Sequence, residues 1–240
     1  MKRNDIIEFG KKEWIVLDVK KSKALIMSKN ILFYERYNKD YTYTTWARSS
    51  LREYLNTKFI KRFSKNDRSF ILYTENENLK NPIYGERKAD GAVTNDRLFL
   101  LSLDEISKYF CGIRSFKRLY RIASDTEQVY SRLPEASRKR LMPKASELGN
   151  TTEVGITPDL FEAFRMKNII EFNKPVICDP HFIPAKDGAG TKHWYWLRSP
   201  GFVSSNVCAV HRDGVVDFYG DFCDIKEGGV RPAMWVAVKN

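Results

Sequence analysis

Two arginines sit inside runs that otherwise read as buried strand. Arg198 lies in Trp194-Tyr195-Trp196-Leu197-Arg198-Ser199-Pro200-Gly201, and Arg231 in Gly228-Gly229-Val230-Arg231-Pro232-Ala233-Met234-Trp235. A guanidinium in such a run must find a partner or leave the core. Two chemistries suit them. Each can fork onto a carboxylate or loop carbonyls and fix a strand end, because five donors lie in one rigid plane. Alternatively the two, with Ser199, hold an anionic or carboxylate ligand between them. Substitution by lysine separates these readings: a structural arginine costs folding, whereas a ligand-holding one costs binding with the fold intact. Neither run, with its neighbour Trp196, spells out a reaction.

The other reactive side chains are scattered. Cys111, Cys178, Cys208 and Cys223 form no CxxC pair and read as buried free thiols in a reducing compartment. His181, His193 and His211 have neither a nucleophile nor a second histidine at ligand spacing. Ser199, His211 and an aspartate could be drawn as a hydrolytic triad, but a chain of this length always offers such a set. Asp213, Asp217, Asp221 and Asp224 are numerous enough for calcium, yet they read as the solvated face of a hairpin. No catalytic residue, metal or cofactor is expected.

Charge points more clearly to a partner. Lys and Arg number 41 against 30 Asp and Glu, a net charge of +11, which suits an acidic counterpart. The excess is concentrated between residues 108 and 144. There Lys117-Arg118-Leu119-Tyr120-Arg121 and Arg138-Lys139-Arg140 with Lys144 set cations beside an aromatic ring, as a nucleic-acid surface would. An ordinary solvated helix face is the plain alternative, and the acidic stretch from Asp213 to Glu227 could pair with the basic one internally. The expected partner is an acidic protein or nucleoprotein, with nucleic acid bound through residues 114–144 as the alternative.

With 240 residues, 42% of them hydrophobic, the chain can bury a substantial core. No stretch approaches the roughly 18 apolar residues of a membrane span. The first residues lack the apolar region of a secretion signal. A cytoplasmic location is expected.

The elements that must position these residues follow from periodicity. Residues 6–34 read as a strand meander with a polar turn at 20–23, followed by a polar, tyrosine-rich loop over 35–44. Thr45 is placed to cap a helix whose stripe is Trp46, Leu51, Tyr54, Leu55, Phe59 and Phe63. Residues 69–73 read as a strand, 75–95 as a loop, and 98–101 as a buried strand. Ser102-Leu103-Asp104-Glu105 is a capping box opening a helix. Thr157-Pro158 starts another short helix. Asp213-Gly214 marks a two-residue hairpin turn that would set Arg212 opposite Val215, Val210 opposite Asp217 and Cys208 opposite Tyr219. Pro232 would break the last strand, which favours an edge or a bulge.

Taken together, Trp14-Ile15-Val16-Leu17, Trp46, Ser50-Leu51-Arg52, Leu55-Asn56, Phe99-Leu100-Leu101-Ser102, Trp196 to Gly201 and Gly229 to Trp235 resemble an uncharacterised bacterial domain family with no assigned activity. That family in turn resembles the C-type-lectin-like fold of formylglycine-generating enzymes and of the variable ligand-binding proteins of diversity-generating retroelements. The resemblance covers residues 5–110 and 192–238. It implies one α+β domain over residues 1–240, with a mixed sheet, flanking helices and a basic insertion over 112–190. By the same resemblance, the Trp-x-x-Arg and Gly-x-Arg strands belong to the central sheet, and loops around residues 202–207, 213 and 221–227 carry the ligand surface. An oxidase of the formylglycine-generating kind would need two neighbouring thiolates. Cys208 and Cys223, on opposite arms of the hairpin, do not match that spacing. The function expected is non-catalytic recognition through the basic insertion and the hairpin loops.

Overall fold

The structure is a computed structural model that describes residues 1–79, 81, 93–111, 185–201, 205–212, 214 and 216–238. These residues belong to one unit, Met1–Gly112 joined with Cys178–Asn240. They form several sheets and few helices, a mixed α/β content.

The first sheet has the order β1 (Ile6–Phe9), β2 (Lys12–Lys20), β3 (Lys23–Ser28) and β13 (Ala233–Ala237), so segments from both ends of the sequence share it. The second runs β11 (Val216–Phe222), β10 (Asn206–Val210), β9 (Tyr195–Pro200), β12 (Gly229–Val230) and β4 (Phe33–Tyr34). Two small hairpins complete the strands: β5 (Thr74–Asn76) with β6 (Thr94–Asp96), and β7 (Ala185–Lys186) with β8 (Lys192–His193). The body therefore resumes by Ala185, which is buried, inside the stretch expected to be insertion.

Trp14 to Leu17 and Ala24 to Met27 are buried without alternation, because this sheet is covered on both faces. Gly10 and Lys11 take positive φ at the β1–β2 turn, and a Cβ on Gly10 would meet the Phe63 ring. Pro232 breaks the last strand, as its missing donor requires. The break is a change of sheet: Gly229 pairs with Tyr195 in one, while Ala233 pairs with Met27 in the other.

The expected helix from Thr45 is three pieces. Trp46–Arg48 and Phe59–Arg62 are 3₁₀ turns, and between them lies α1 (Ser50–Thr57). Ser49, not Thr45, caps α1: its extended backbone interrupts the spiral, and its hydroxyl accepts from the Arg52 amide at 3.2 Å. The strand expected over 69–73 is in part the end of α2 (Lys65–Phe70), capped by Ser64 through the Asp67 amide at 3.0 Å. Only Ile71 makes a bridge there, to Val236. The loop expected over 75–95 contributes β5 and β6. Residues 98–101 are buried but bridge β13 only through Phe99 to Ala233. The capping box is present in full and opens α3 (Leu103–Ile106), which runs on into a wider turn over Ser107–Cys111.

The hairpin register also differs from the expected one. Val210 faces Val216 and Ala209 faces Asp217, whereas Val207 faces Asp221 and Asn206 faces Phe222. A bulge on β11, where residues 218–220 stand against Cys208 alone, absorbs the difference. It is supported by Gly220 at φ +80, whose amide donates to Asp217 Oδ1 at 3.0 Å and whose carbonyl accepts from Asn206 Nδ2 at 2.9 Å. The strands end at Val210 and Val216, so the connection is longer than the two-residue turn expected; Asp213 and Val215 lie outside the described residues. All of β10 is buried, in the middle of its sheet between β9 and β11, and its register follows the irregularity rather than a two-residue turn at Asp213-Gly214.

Candidate functional site

Each of the two arginines is held by protein acceptors. Arg198, on β9, forks onto the Glu105 carboxylate and the Leu100 carbonyl, the latter at 2.9 Å, and lies 5.7 Å from the centre of the Phe99 ring. Glu105 is the carboxylate that also takes the Ser102 amide at 2.8 Å, so β9 is locked to the first turn of α3. Ser199 adds to the lock: its hydroxyl accepts from the Leu103 amide at 2.9 Å. Burial, then the neighbouring Glu105, raises the Asp104 carboxyl above its ordinary range, and Arg198 opposes that rise.

Arg231 is 1% exposed. Its Nε donates to the Ser28 carbonyl at 2.7 Å, one terminal nitrogen to the Lys29 carbonyl at 3.0 Å, and the other to the Tyr195 hydroxyl at 3.3 Å. It therefore joins the end of β3, in the first sheet, to β9, in the second. Burial lowers the pKa of Arg231 and raises that of Tyr195, while the contact between the two opposes both shifts. Arg198 and Arg231 thus serve different neighbours.

Trp196, buried on β9, positions the tyrosine-rich loop. Its indole donates to the Glu35 carbonyl at 2.9 Å, and its ring meets Tyr37 edge-on at 5.9 Å. Tyr37 in turn donates to the Arg198 carbonyl at 3.2 Å. Further along, the Asn38 amide donates to the Cys223 carbonyl at 2.8 Å, tying the loop to the end of β11. On this base three rings stand exposed: Tyr41 (56%), Tyr43 (45%) and Phe222 (49%), with Tyr41 and Phe222 in an edge contact at 5.5 Å. Aromatic residues displayed on a fixed base are the usual anchors of an interface. No motif in the sequence marks this cluster. Its only signal was three tyrosines between residues 35 and 44 in a polar stretch without apolar periodicity.

The strand that ends at Phe222 also carries the hairpin acids Asp217 and Asp221. Asp217 pairs with His211 at 3.2 Å. Burial, then Asp217, raises the Asp221 carboxyl, against an opposing contribution from His211. A carboxyl raised in the fold holds its proton more tightly there than in the unfolded chain. Stability therefore falls as pH climbs from the ordinary carboxylate range through the raised value. Asp221→Asn should accordingly unfold at a higher temperature than the parent at pH 7 and at the same temperature at pH 3.

The two described thiols, Cys208 and Cys223, are each held by backbone carbonyls. Cys208 Sγ lies 3.1 Å from the Pro200 carbonyl and Cys223 Sγ 3.6 Å from the Asp40 and Thr42 carbonyls, so the two face different surroundings. Burial raises both above the ordinary thiol value, well above for Cys208, which favours the protonated form. Among the described residues no group of three His, Cys, Asp or Glu could hold a metal ion. His193 packs at 4.8 Å against Tyr34, whose hydroxyl donates to Asp187 at 2.9 Å; burial first, then that bond, pushes the Tyr34 phenol up to about 12. Lys117, Arg118, Arg121, Arg138, Lys139, Arg140 and Lys144 lie outside the described residues, as do His181, Cys178 and the helix expected at Thr157-Pro158.

The family model of a domain of unknown function, DUF6273, matches residues 21–238. The chain belongs to that family. No curated protein and no solved structure matches it. In this DUF6273 domain the match takes in β9, β12 and the tyrosine loop together, and no helix among the described residues is long and apolar enough to cross a membrane.

Proposed function

We propose that this DUF6273 domain is a non-catalytic recognition module of C-type-lectin-like type that binds an acidic protein or a nucleoprotein. Two features support the fold reading: the sheet shared by early and late strands, and the loops carried by the sheet that holds the Trp196–Arg198 strand. The observation that carries the function is the ring cluster of Tyr41 and Tyr43, on a loop pinned by Trp196 and Asn38, with Phe222 at the end of β11. A surface of this kind gives affinity by burying rigid aromatic area at low entropic cost. The basic stretch at 114–144 supplies the second half of the reading, through its charge. Among the described residues, Arg198, Arg231, Cys208 and Cys223 are engaged within the fold, which fits a binding role.

The test is affinity capture from extract of the native host with the full chain as bait. Tyr41→Ala with Phe222→Ala should lose the captured partner while leaving the thermal unfolding midpoint within a degree or two, and so should Arg138→Glu with Lys139→Glu and Arg140→Glu. A partner retained by both variants would overturn the reading.

A further inference from the structure

The end of the first sheet that carries the β2–β3 turn is basic. Lys20 pairs with Lys23 across the turn, and Lys21 stands exposed at its tip. Two rows back, Asp18, Leu25 and Trp235 lie abreast on three neighbouring strands, so they share a face with Lys20 and Lys23. The ammonium groups of Lys20 and Lys23 accordingly lie 5.2 and 4.9 Å from the centre of the Trp235 ring. Asp18 brings the turn after α3 to the same face. Its carboxylate accepts from the Tyr109 hydroxyl at 3.3 Å and pairs with Lys108 at 3.7 Å, while Arg3 donates to the Tyr109 carbonyl at 2.6 Å. Lys20, Lys21, Lys23, Lys108 and Arg3 are thus set about this end of the sheet, and Asp18, the acid on the same face, is already engaged. Val19, directly before the turn, points to the opposite face and is 39% exposed.

We propose that this turn docks the domain on an anionic phospholipid surface, with Lys20, Lys21 and Lys23 among the headgroup phosphates and Val19 against the acyl boundary. The charge is complementary to an anionic leaflet, which attracts lysines clustered near its plane. Cationic heads over apolar bodies are the arrangement that side chains take at a membrane interface. Trp235 and Tyr109 are each 8% exposed and lie under lysines, so neither offers a nucleic-acid base a platform to stack on. A duplex or an acidic peptide would meet the same charges and leave Val19 in water. The tip of a hairpin meets a flat surface with both of its faces at once, which serves the lysines on one and Val19 on the other. The assignment uses no residue of the loop cluster at Tyr41 and Phe222 and does not depend on it.

The experiment is co-sedimentation of the full chain with vesicles of phosphatidylcholine and phosphatidylglycerol in equal parts, across a salt series. Binding should weaken with salt and be absent on phosphatidylcholine alone. Lys20→Ala, Lys21→Ala and Lys23→Ala should each weaken it about five-fold, and the three together about a hundred-fold, while Lys20→Arg with Lys23→Arg binds like the parent. Val19→Thr, which keeps the shape and adds a hydroxyl, should weaken it about three-fold, a little under the value of one buried methylene. Tyr41→Ala with Phe222→Ala should bind the vesicles normally, which separates this site from the recognition loop. Circular dichroism checks that the variants fold, and Lys21→Ala, at the tip and outside the ring pairs, carries the test should the strand positions unsettle the sheet. No binding at low salt overturns the proposal, as does binding that the lysine variants and Val19→Thr leave unchanged. Duplex DNA that binds more tightly than the vesicles, and loses that binding in the lysine variants, overturns it in favour of nucleic acid.

Discussion

Arg231→Ala is expected to cost about 3–5 kcal/mol of unfolding free energy, as removal of a buried, fully engaged charge does. The side chain is 1% exposed, and its donors reach the Ser28 and Lys29 carbonyls and the Tyr195 hydroxyl. Truncation removes these bonds and empties a large volume between the sheets. The two carbonyls, at the end of β3, lose their donors where water is scarce, and each such loss costs about 1–3 kcal/mol. Arg231→Lys keeps the charge but replaces a planar fork with a point donor, so it should fall between parent and alanine. Urea unfolding followed by tryptophan fluorescence checks the order parent, lysine, alanine. Equal midpoints for parent and alanine would show that Arg231 does not join the sheets.

Gly228→Ala is expected to cost about 3 kcal/mol, at or above the upper end for overpacking. A Cβ at position 228 would fall inside the Trp196 indole, and the ring has little room to retreat. Its nitrogen is bound to the Glu35 carbonyl, and its faces meet Tyr37 at 5.9 Å and Trp194 at 4.7 Å. Either the backbone shifts or Trp196 leaves its slot, and in the second case the tyrosine loop loses its pin. The variant should therefore show a lowered thermal midpoint and a shifted tryptophan emission together. A compensating Trp196→Phe in the same chain should restore part of the midpoint, because the smaller ring vacates the clashing volume.

How far the sequence discloses this molecule differs from element to element. Strong local chemistry is readable: Ser102 with Glu105 announces a capping box, and Pro232 announces a break. What the break does is not local. That β12 lies in one sheet and β13 in the other depends on Tyr195 and Met27, which are distant in sequence from Arg231. The β10 register differs for a related reason. A two-residue turn at Asp213-Gly214 predicts an unbroken ladder, and no local residue pattern announces the shift between Val207 and Ala209. The helix expected from Thr45 shows a third cause, since the apolar stripe survives while Ser49 competes for the backbone and splits the spiral. The same is true of the buried Asp96, which gathers the Trp46 indole at 2.9 Å, Arg52 Nε at 2.7 Å and Asn76 Nδ2 at 3.2 Å; only the tertiary structure shows why Trp46 and Arg52 occur together. Of the site, the pattern discloses the inward arginines and the run holding Trp196. The exposed rings carry no periodic signal, because side chains that point to solvent are not constrained by packing against the rest of the chain.

The late strand of the first sheet has a consequence for how the chain is made. β13 pairs with β3 across most of the sequence, Ala233 against Met27, and Arg231 sits just before it. While the ribosome is still adding the middle of the chain, β1 to β3 have only one of their two edges in its final state, and the Ser28 and Lys29 carbonyls have no guanidinium. Closure over so long a span is slow, yet its entropy grows only as the logarithm of length, about 0.6 kcal/mol per doubling. Residues between the two halves can therefore lengthen or diversify at little thermodynamic cost, and the native state is reached in a late step, when β12 and β13 arrive and bring the arginine that joins the sheets.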